Sequence, residues 1–297
     1  MEYTKKVLNP EQHIELLQTR GLIVPDRERA KRYLHAIGYY RLSVYFLPFQ
    51  DTKDTFNANI SFDHILKLYI KDRKLRLLAM DALERIEVAF RSVISNTMSS
   101  SHGPHWFTND KLFRKGYRNS GHRKLIKDIK YATGFFTPNK RNPACKHYYL
   151  KFDGPELPPS WIVAEVLTLG AWSRIYKELL TKHQKRISTL FDFDKTDLET
   201  WSHSLTLIRN NCAHHNRFWN HTLPPKATNV RHYTYAEIPL HKPYTQFALI
   251  HAFLKTFTTD PRWSTRLYKF LNDWPLDIHD EMGFPRKWES IPFWDIR

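Results

Sequence analysis

The stretch SFDHILKLYIKDRKLRLLAMDALERIEVAFRSVISNTMS, residues 61–99, sets the architecture. Phe62, Ile65, Leu66, Tyr69, Leu75, Leu78, Ala82, Leu83, Ile86, Phe90, Val93 and Ile94 keep a helical spacing, with no Pro or Gly to interrupt it. Apolar residues at that period form the buried stripe of an amphipathic helix. Ser61 is a good N-cap, so the spacing predicts a helix from Ser61 to about Ser99, the longest of the chain. Glu84, Glu87 and Arg91 fall on one of its faces, and Glu87 precedes Arg91 in the order that favours an i,i+4 ion pair.

The same period recurs on both sides of this helix. Asn9-Pro10 reads as a cap and first helical residue ahead of Ile14, Leu16 and Leu17, with Gly21 as the stop. A second helix starts at Asp26 and carries Ala30, Tyr33, Leu34 and Ile37. Tyr39 to Phe49 is dense in aromatics, which fill cores at such density and can also stack on unpaired bases. Asp51 to Asn59 is expected as a polar loop. Ser160 is expected to cap a helix carrying Trp161, Val163, Val166, Trp172, Ile175 and Leu179, interrupted at most by Gly170. A short helix near Gln184 to Leu190 then leads to one capped by Asp194 or Thr196 and carrying Leu198, Trp201, Leu205 and Ile208. Leu223-Pro224-Pro225-Lys226 ends regular structure, and Pro239 and Pro243 keep the next stretch irregular. Phe247 to Phe257 and Leu267 to Leu271 are helical again, and the aromatic tail from Trp274 to Arg297 wraps over the body.

With 297 residues, 41% hydrophobic and 14% aromatic, the chain can bury one large core or two smaller ones. Only 9 Gly, and few short Val/Ile/Thr alternations, argue against a β-sandwich or a doubly wound sheet. The fold class is all-α.

The last core helix runs into Arg209-Asn210-Asn211-Cys212-Ala213-His214-His215-Asn216-Arg217-Phe218-Trp219-Asn220. Arg209 offers a fixed fork of donors to phosphate oxygens. His214 and His215 titrate near neutrality, which suits a group that takes a proton from a ribose 2′-OH or returns one to a leaving 5′-oxygen. Asn210 and His214, four apart, share a helix face. Arg209 and His214, five apart, lie about 140° round an ideal helix, so their convergence needs a wrapped arginine, a distorted helix or a partner subunit. The structural alternative is a polar helix end whose His and Asn satisfy backbone groups while Arg209 pairs with a carboxylate.

Arg-Asn-x-x-x-His resembles the R-x4-6-H signature of the HEPN superfamily, and RNNCAHHNRFWN is similar to the version in the Abi_2 group of AbiD- and AbiF-type abortive-infection proteins. Ile37-Gly38-Tyr39-Tyr40-Arg41-Leu42-Ser43 and Leu83-Glu84-Arg85-Ile86-Glu87-Val88-Ala89-Phe90-Arg91 resemble that group's N-terminal blocks in the same order, so the resemblance spans roughly residues 10 to 222. It implies a HEPN-type helical bundle and metal-independent RNA cleavage, usually from a composite site made by two HEPN units, hence a homodimer. By that resemblance Arg209 holds the scissile phosphate, His214 or His215 is acid or base, Asn210 orients one of them, and Glu87 faces Arg209 or His214 across the bundle. It also implies a second reading, an RNA-binding protein that holds a structured small noncoding RNA without cutting it.

A formal charge of +16 and a pI near 9.7 attract polyanions, RNA before DNA or an anionic membrane surface. Residues 102–151 concentrate that charge. Lys111, Arg114, Lys115, Arg118, Arg123, Lys124, Lys127 and Lys130 are candidate RNA-binding residues there, with Arg217 from the motif. Interleaved aromatics suit looped or single-stranded RNA, and a solvated insertion is the alternative. Cys145 and Cys212 make no disulfide framework, and Cys212 reads as a small packing residue. The motif lacks the His-x3-His spacing of a helical metal site, so neither metal nor cofactor is expected. No apolar run has the length of a membrane span, and Met1 to Lys6 leads into a polar helix, which suggests a cytoplasmic protein. The expected organisation is an N-terminal helical pair in a subdomain over 1–58, a HEPN-like core over 59–222 with the basic insertion 102–151, and a C-terminal extension over 223–297.

Overall fold

The computed structural model describes Glu2 and residues 6–222, 241–258 and 262–296. In chain order its helices are α1 (Pro10–Thr19), α2 (Arg27–Ile37), α3 (Tyr39–Ser43), α4 (Phe62–His102), α5 (Ser120–Ala132), α6 (Pro143–Lys151) and α7 (Ser160–Val166). They continue as α8 (Leu169–Glu178), α9 (Thr181–Thr189), α10 (Lys195–Ala213), α11 (Pro243–Phe257), α12 (Arg262–Asn272) and α13 (Ile278–Met282). The fold is all-α. Its strands among the described residues, β1 (Gln50–Thr52) and β2 (Thr55–Phe56), pair as one antiparallel hairpin.

The axis of the molecule is α4, 41 residues long, about 60 Å at the α-helical rise. Leu68, Leu75, Ala79, Leu83, Ile86, Phe90 and Ile94 are fully buried along it, and α7, α8, α9, α10 and α11 all pack against that stripe. Helix α11 is buried on every face from Pro243 to Leu254, the pattern of a helix inside a core rather than on its surface. It packs against both α4 and α10, so part of the C-terminal segment completes the same core as the motif helix. The tail wraps as expected: Phe284, Trp288 and Trp294 are buried, with Phe284 and Trp294 against the ring of Tyr244 and Trp294 also stacked on His251.

The caps at Asn9, Asp26 and Asp194 are where the sequence puts them. Each side chain accepts a backbone N–H of the first turn and so satisfies a donor with no intrahelical partner. Four local expectations are corrected. The stretch Asp51 to Asn59 is not all loop, since its residues up to Phe56 belong to the hairpin. Pro243 starts α11 instead of keeping its surroundings irregular; at that position its missing N–H has no helical role. Ser160 does not cap α7; its hydroxyl is buried between those of Ser95 and Ser99, at 2.8 and 2.7 Å. The break in the Trp161 to Leu179 run falls at Leu167–Thr168, where Thr168 caps α8, and Gly170 lies inside α8. A Cβ on Gly170 would sit 3.0 Å from Cγ2 of Thr206, so this glycine allows α8 its close approach to α10. The expectations for residues 223–226 and Pro239 lie outside the described residues.

Candidate functional site

The site is built on the C-terminal end of α10. Leu198, Trp201, Leu205, Ile208 and Cys212 bury one face of that helix, which turns Arg209, Asn210 and Ala213 towards its edge. After the C-cap His214, the chain reverses through His215 at φ 59°. The N–H of Asn216 then bonds to Asn211 O and that of His215 to Cys212 O, each at 3.0 Å. This pair of reversed bonds is the Schellman motif, with histidine in the left-handed position that glycine usually fills.

The chain beyond that reversal is held by a carboxylate from α4. Asp72, fully buried, accepts the backbone N–H of Trp219 at 2.7 Å and that of Phe218 at 3.2 Å, the hydroxyl of Tyr45 at 2.6 Å, and the guanidinium of Arg76. Burial pushes the carboxyl pKa up, against the opposing pull of Arg76, Tyr45 and the two N–H groups. Burial also pushes the Tyr45 phenol up, so it stays a donor. This group joins the aromatic block near residue 45, the long helix and the motif tail. Sequence reasoning missed Asp72 and Arg76, although both fall on the buried stripe of α4, where an ionisable pair at i,i+4 was the available signal.

Glu87 and Arg209 meet. Nε of Arg209 lies 3.4 Å from Oε2 of Glu87, across the α4–α10 contact. The distance is that of an ion pair without hydrogen-bond geometry, and this buried Nε–H has no hydrogen-bond partner. Nη1 of Arg209 lies 3.5 Å from Oδ1 of Asn210, so the Asn210 side chain meets the arginine, while its carbonyl accepts the backbone N–H of His214 at 2.9 Å. The Arg209 side chain keeps about a third of its surface open, 34%. His214 and His215 are exposed, and neither imidazole bonds to another described residue. Cationic and titratable groups thus stand open to a polymer at one helix end. Cys212 is buried, and its thiol is pushed up to about 12 by that burial, which removes it as a nucleophile near neutrality.

The basic residues divide. Lys111, Lys115, Arg123 and Lys127 are exposed and pair with no carboxylate among the described residues. Lys124 is exposed but bonded to Asp128 at 2.8 Å. Arg114 bonds to Gln184 and Glu199, Arg118 donates to Phe113 O, and Lys130 pairs with Glu156 at 2.6 Å. Residues 102–151 are folded onto the bundle, and Trp106, Phe107, Phe113 and Tyr148 are buried in its packing, out of reach of a base. Tyr131 and Phe136 remain exposed. Arg217 sits apart from this region, donating to Val44 O at 2.9 Å and lying 5.5 Å from the Trp219 ring. No group of three His, Cys, Asp or Glu suited to a metal ion occurs among the described residues. Among them no helix is long and apolar enough to cross a membrane.

Fold and site together define an all-α protein whose longest helix and last motif helix are joined by a glutamate–arginine pair beside exposed histidines. The family model described as Abi-like protein matches residues 32–220, more than half of the chain and inclusive of both blocks and the motif. The chain belongs to the Abi-like protein family, whose description ties it to abortive infection. No curated protein and no solved structure is matched.

Proposed function

We propose that the protein is the ribonuclease of an abortive-infection system, cutting RNA through the substrate's own 2′-oxygen. The single observation that carries this reading is the Glu87–Arg209 pair, which holds an open guanidinium on the helix end that presents His214. Arg209 receives the scissile phosphate and stabilises the charge that grows on it as the 2′-oxygen attacks phosphorus. The 2′-OH gives its proton to a base, the P–O5′ bond breaks, and the 5′-oxygen takes a proton as it leaves, with His214 in that exchange. The products are a 2′,3′-cyclic phosphate and a 5′-hydroxyl. Asn210 positions Arg209. The ideal-helix offset between Arg209 and His214 is met by a second copy facing the first, so that each cut uses groups from a homodimer.

The test is incubation of purified protein with total RNA and mapping of new ends, wild type against Arg209→Ala and His214→Ala. New ends bearing cyclic phosphate with wild type alone support the reading. Equal cutting by the variants, in nuclease-free preparations, ends it. Loss of cutting at a 2′-deoxy position, with no effect of EDTA, separates the 2′-OH route from a metal hydrolase.

A second reading is favoured by one observation: Lys111, Lys115, Arg123 and Lys127 form exposed charge with no carboxylate partner among the described residues. Such a surface suits a structured small RNA held without cleavage. Charge reversal at Lys124 and Lys127 would then weaken RNA binding while His214→Ala leaves it unchanged, and affinity would fall steeply with salt.

A further inference from the structure

A cleft of about 400 Å³ opens beside the motif tail, walled by Tyr40, Val44 and Leu47 on one side and by His215, Asn216, Arg217 and His221 on the other. Its size is that of a small-ligand site. Three features mark what it takes. Tyr40 is 88% exposed and Leu47 62% exposed, an aromatic face and an aliphatic edge left uncovered at the same opening. Arg41 and Arg217 each bond to a backbone carbonyl from the opposite wall, Arg41 to His215 O at 2.7 Å and Arg217 to Val44 O at 2.9 Å. Yet neither guanidinium pairs with a carboxylate among the described residues, so two fixed positive charges flank an apolar slot with nothing there to neutralise them.

An apolar planar group and an anion are what such a site lacks, and a nucleotide carries both. We propose that the cleft seats one unpaired nucleotide of the RNA strand, its base against Tyr40, Val44 and Leu47 and its phosphate at Arg41 and Arg217. Base stacking on an exposed aromatic with backbone contacts from basic side chains is the general way single strands are held. Placement beside the motif follows from the chain itself. His215 lines the cleft and His214 is its neighbour, one Cα step of about 3.8 Å away. On the ribonuclease reading the seated nucleotide belongs to the strand that meets His214, and it selects which linkages are cut. The inference rests on the ribonuclease reading for that last step but not for binding.

The experiment keeps the two apart. A fluorescein-labelled single-stranded RNA decamer with 2′-O-methyl groups throughout cannot be cut through its own 2′-oxygen, so its affinity reports binding alone. Tyr40→Ala and Leu47→Asp remove the stacking face and place a negative charge in the slot; both positions are exposed, so the fold and the melting temperature are expected to hold. Each variant is expected to weaken the decamer at least fivefold. Millimolar nucleoside 5′-monophosphates are expected to compete with the decamer on wild type and to lose that effect on Leu47→Asp. Wild-type affinity in both variants, or equal competition in Leu47→Asp, overturns the cleft. Competition by a free mononucleotide with no change of decamer affinity in either variant also overturns it, since the occupant would then be a soluble effector. In cleavage assays Tyr40→Ala is expected to flatten the base preference beside the cut sites; an unchanged preference counts against the assignment. Protein that binds the decamer through the cleft but never cuts total RNA removes the ribonuclease reading and leaves the nucleotide seat in place.

Discussion

Oδ1 of Asp72 accepts the backbone N–H of Trp219 at 2.7 Å, across 147 positions of the chain. One carboxylate on the long helix thereby sets where the motif tail runs, and the tail sets the wall of the cleft and the exit of the histidines. Asp72 also bonds to Arg76 and Tyr45, so its loss strands several buried donors at once.

Asp72→Asn keeps the shape and removes the charge. Breaking one partner of a buried ion pair typically costs about 3–5 kcal/mol, and urea denaturation should show a loss of that order. The double variant Asp72→Asn with Arg76→Met should lose less than Asp72→Asn alone, because the orphaned guanidinium is gone. Equal or greater loss in the double variant would contradict the arrangement.

His215→Gly should stabilise the fold. A side chain in the left-handed region carries a penalty of roughly 1 kcal/mol that glycine avoids, and His215 stands there at φ 59°. A gain of about 0.5–1 kcal/mol in the denaturation midpoint analysis is expected. If catalysis falls while stability rises, the histidine is kept for its ring and not for the turn; no gain in stability would count against the strain.

Glu87→Gln tests the positioning of Arg209. Glu87 touches the guanidinium at 3.4 Å and is assigned no contact with RNA. A displaced guanidinium is expected to lower kcat by about tenfold to a hundredfold with KM and melting temperature little changed. A fall in stability with unchanged kcat would make the pair structural.

Acid stability follows from His251, which stacks against Trp294 and bonds to Phe293 O at 2.9 Å. Burial pushes its imidazole from 6.5 down to about 4. Between those values the unfolded chain binds a proton that the folded chain refuses, so stability drops as pH falls from about 6.5 to about 4. The full effect is at most roughly 3 kcal/mol. His183, also pushed down to about 4 by burial, acts in the same window. Melting temperatures of His251→Gln should therefore fall less steeply between pH 7 and pH 5, on the order of half as much, than those of wild type; parallel profiles would refute the assignment.

Gly170→Ala sets two effects against each other. Helix propensity favours alanine by about 1 kcal/mol, while the added Cβ meets Cγ2 of Thr206 at 3.0 Å. The single variant should be neutral or destabilised, and Gly170→Ala combined with Thr206→Ser should recover the propensity gain. Stabilisation by the single variant alone would show that α8 and α10 have room to spare.

The helices and several of their ends were already written in the order of residues. Apolar spacing over 62–94 marks α4 because a long helix buries one face at a fixed period, and Asn9, Asp26 and Asp194 act within a few residues of themselves. The meeting of Glu87 with Arg209 was legible only through the resemblance carried by the two blocks and the motif, which sets Glu87 opposite Arg209 or His214 across the bundle. Features that depend on distant pairing came into being only when the chain folded. The single core that takes in α11, the donors gathered on Asp72, the buried hydroxyl of Ser160 and the cleft between Tyr40 and Arg217 each join segments tens to hundreds of residues apart. Local propensity is a short-range quantity, and a buried charge or an uncovered tyrosine is defined only once the other wall has arrived.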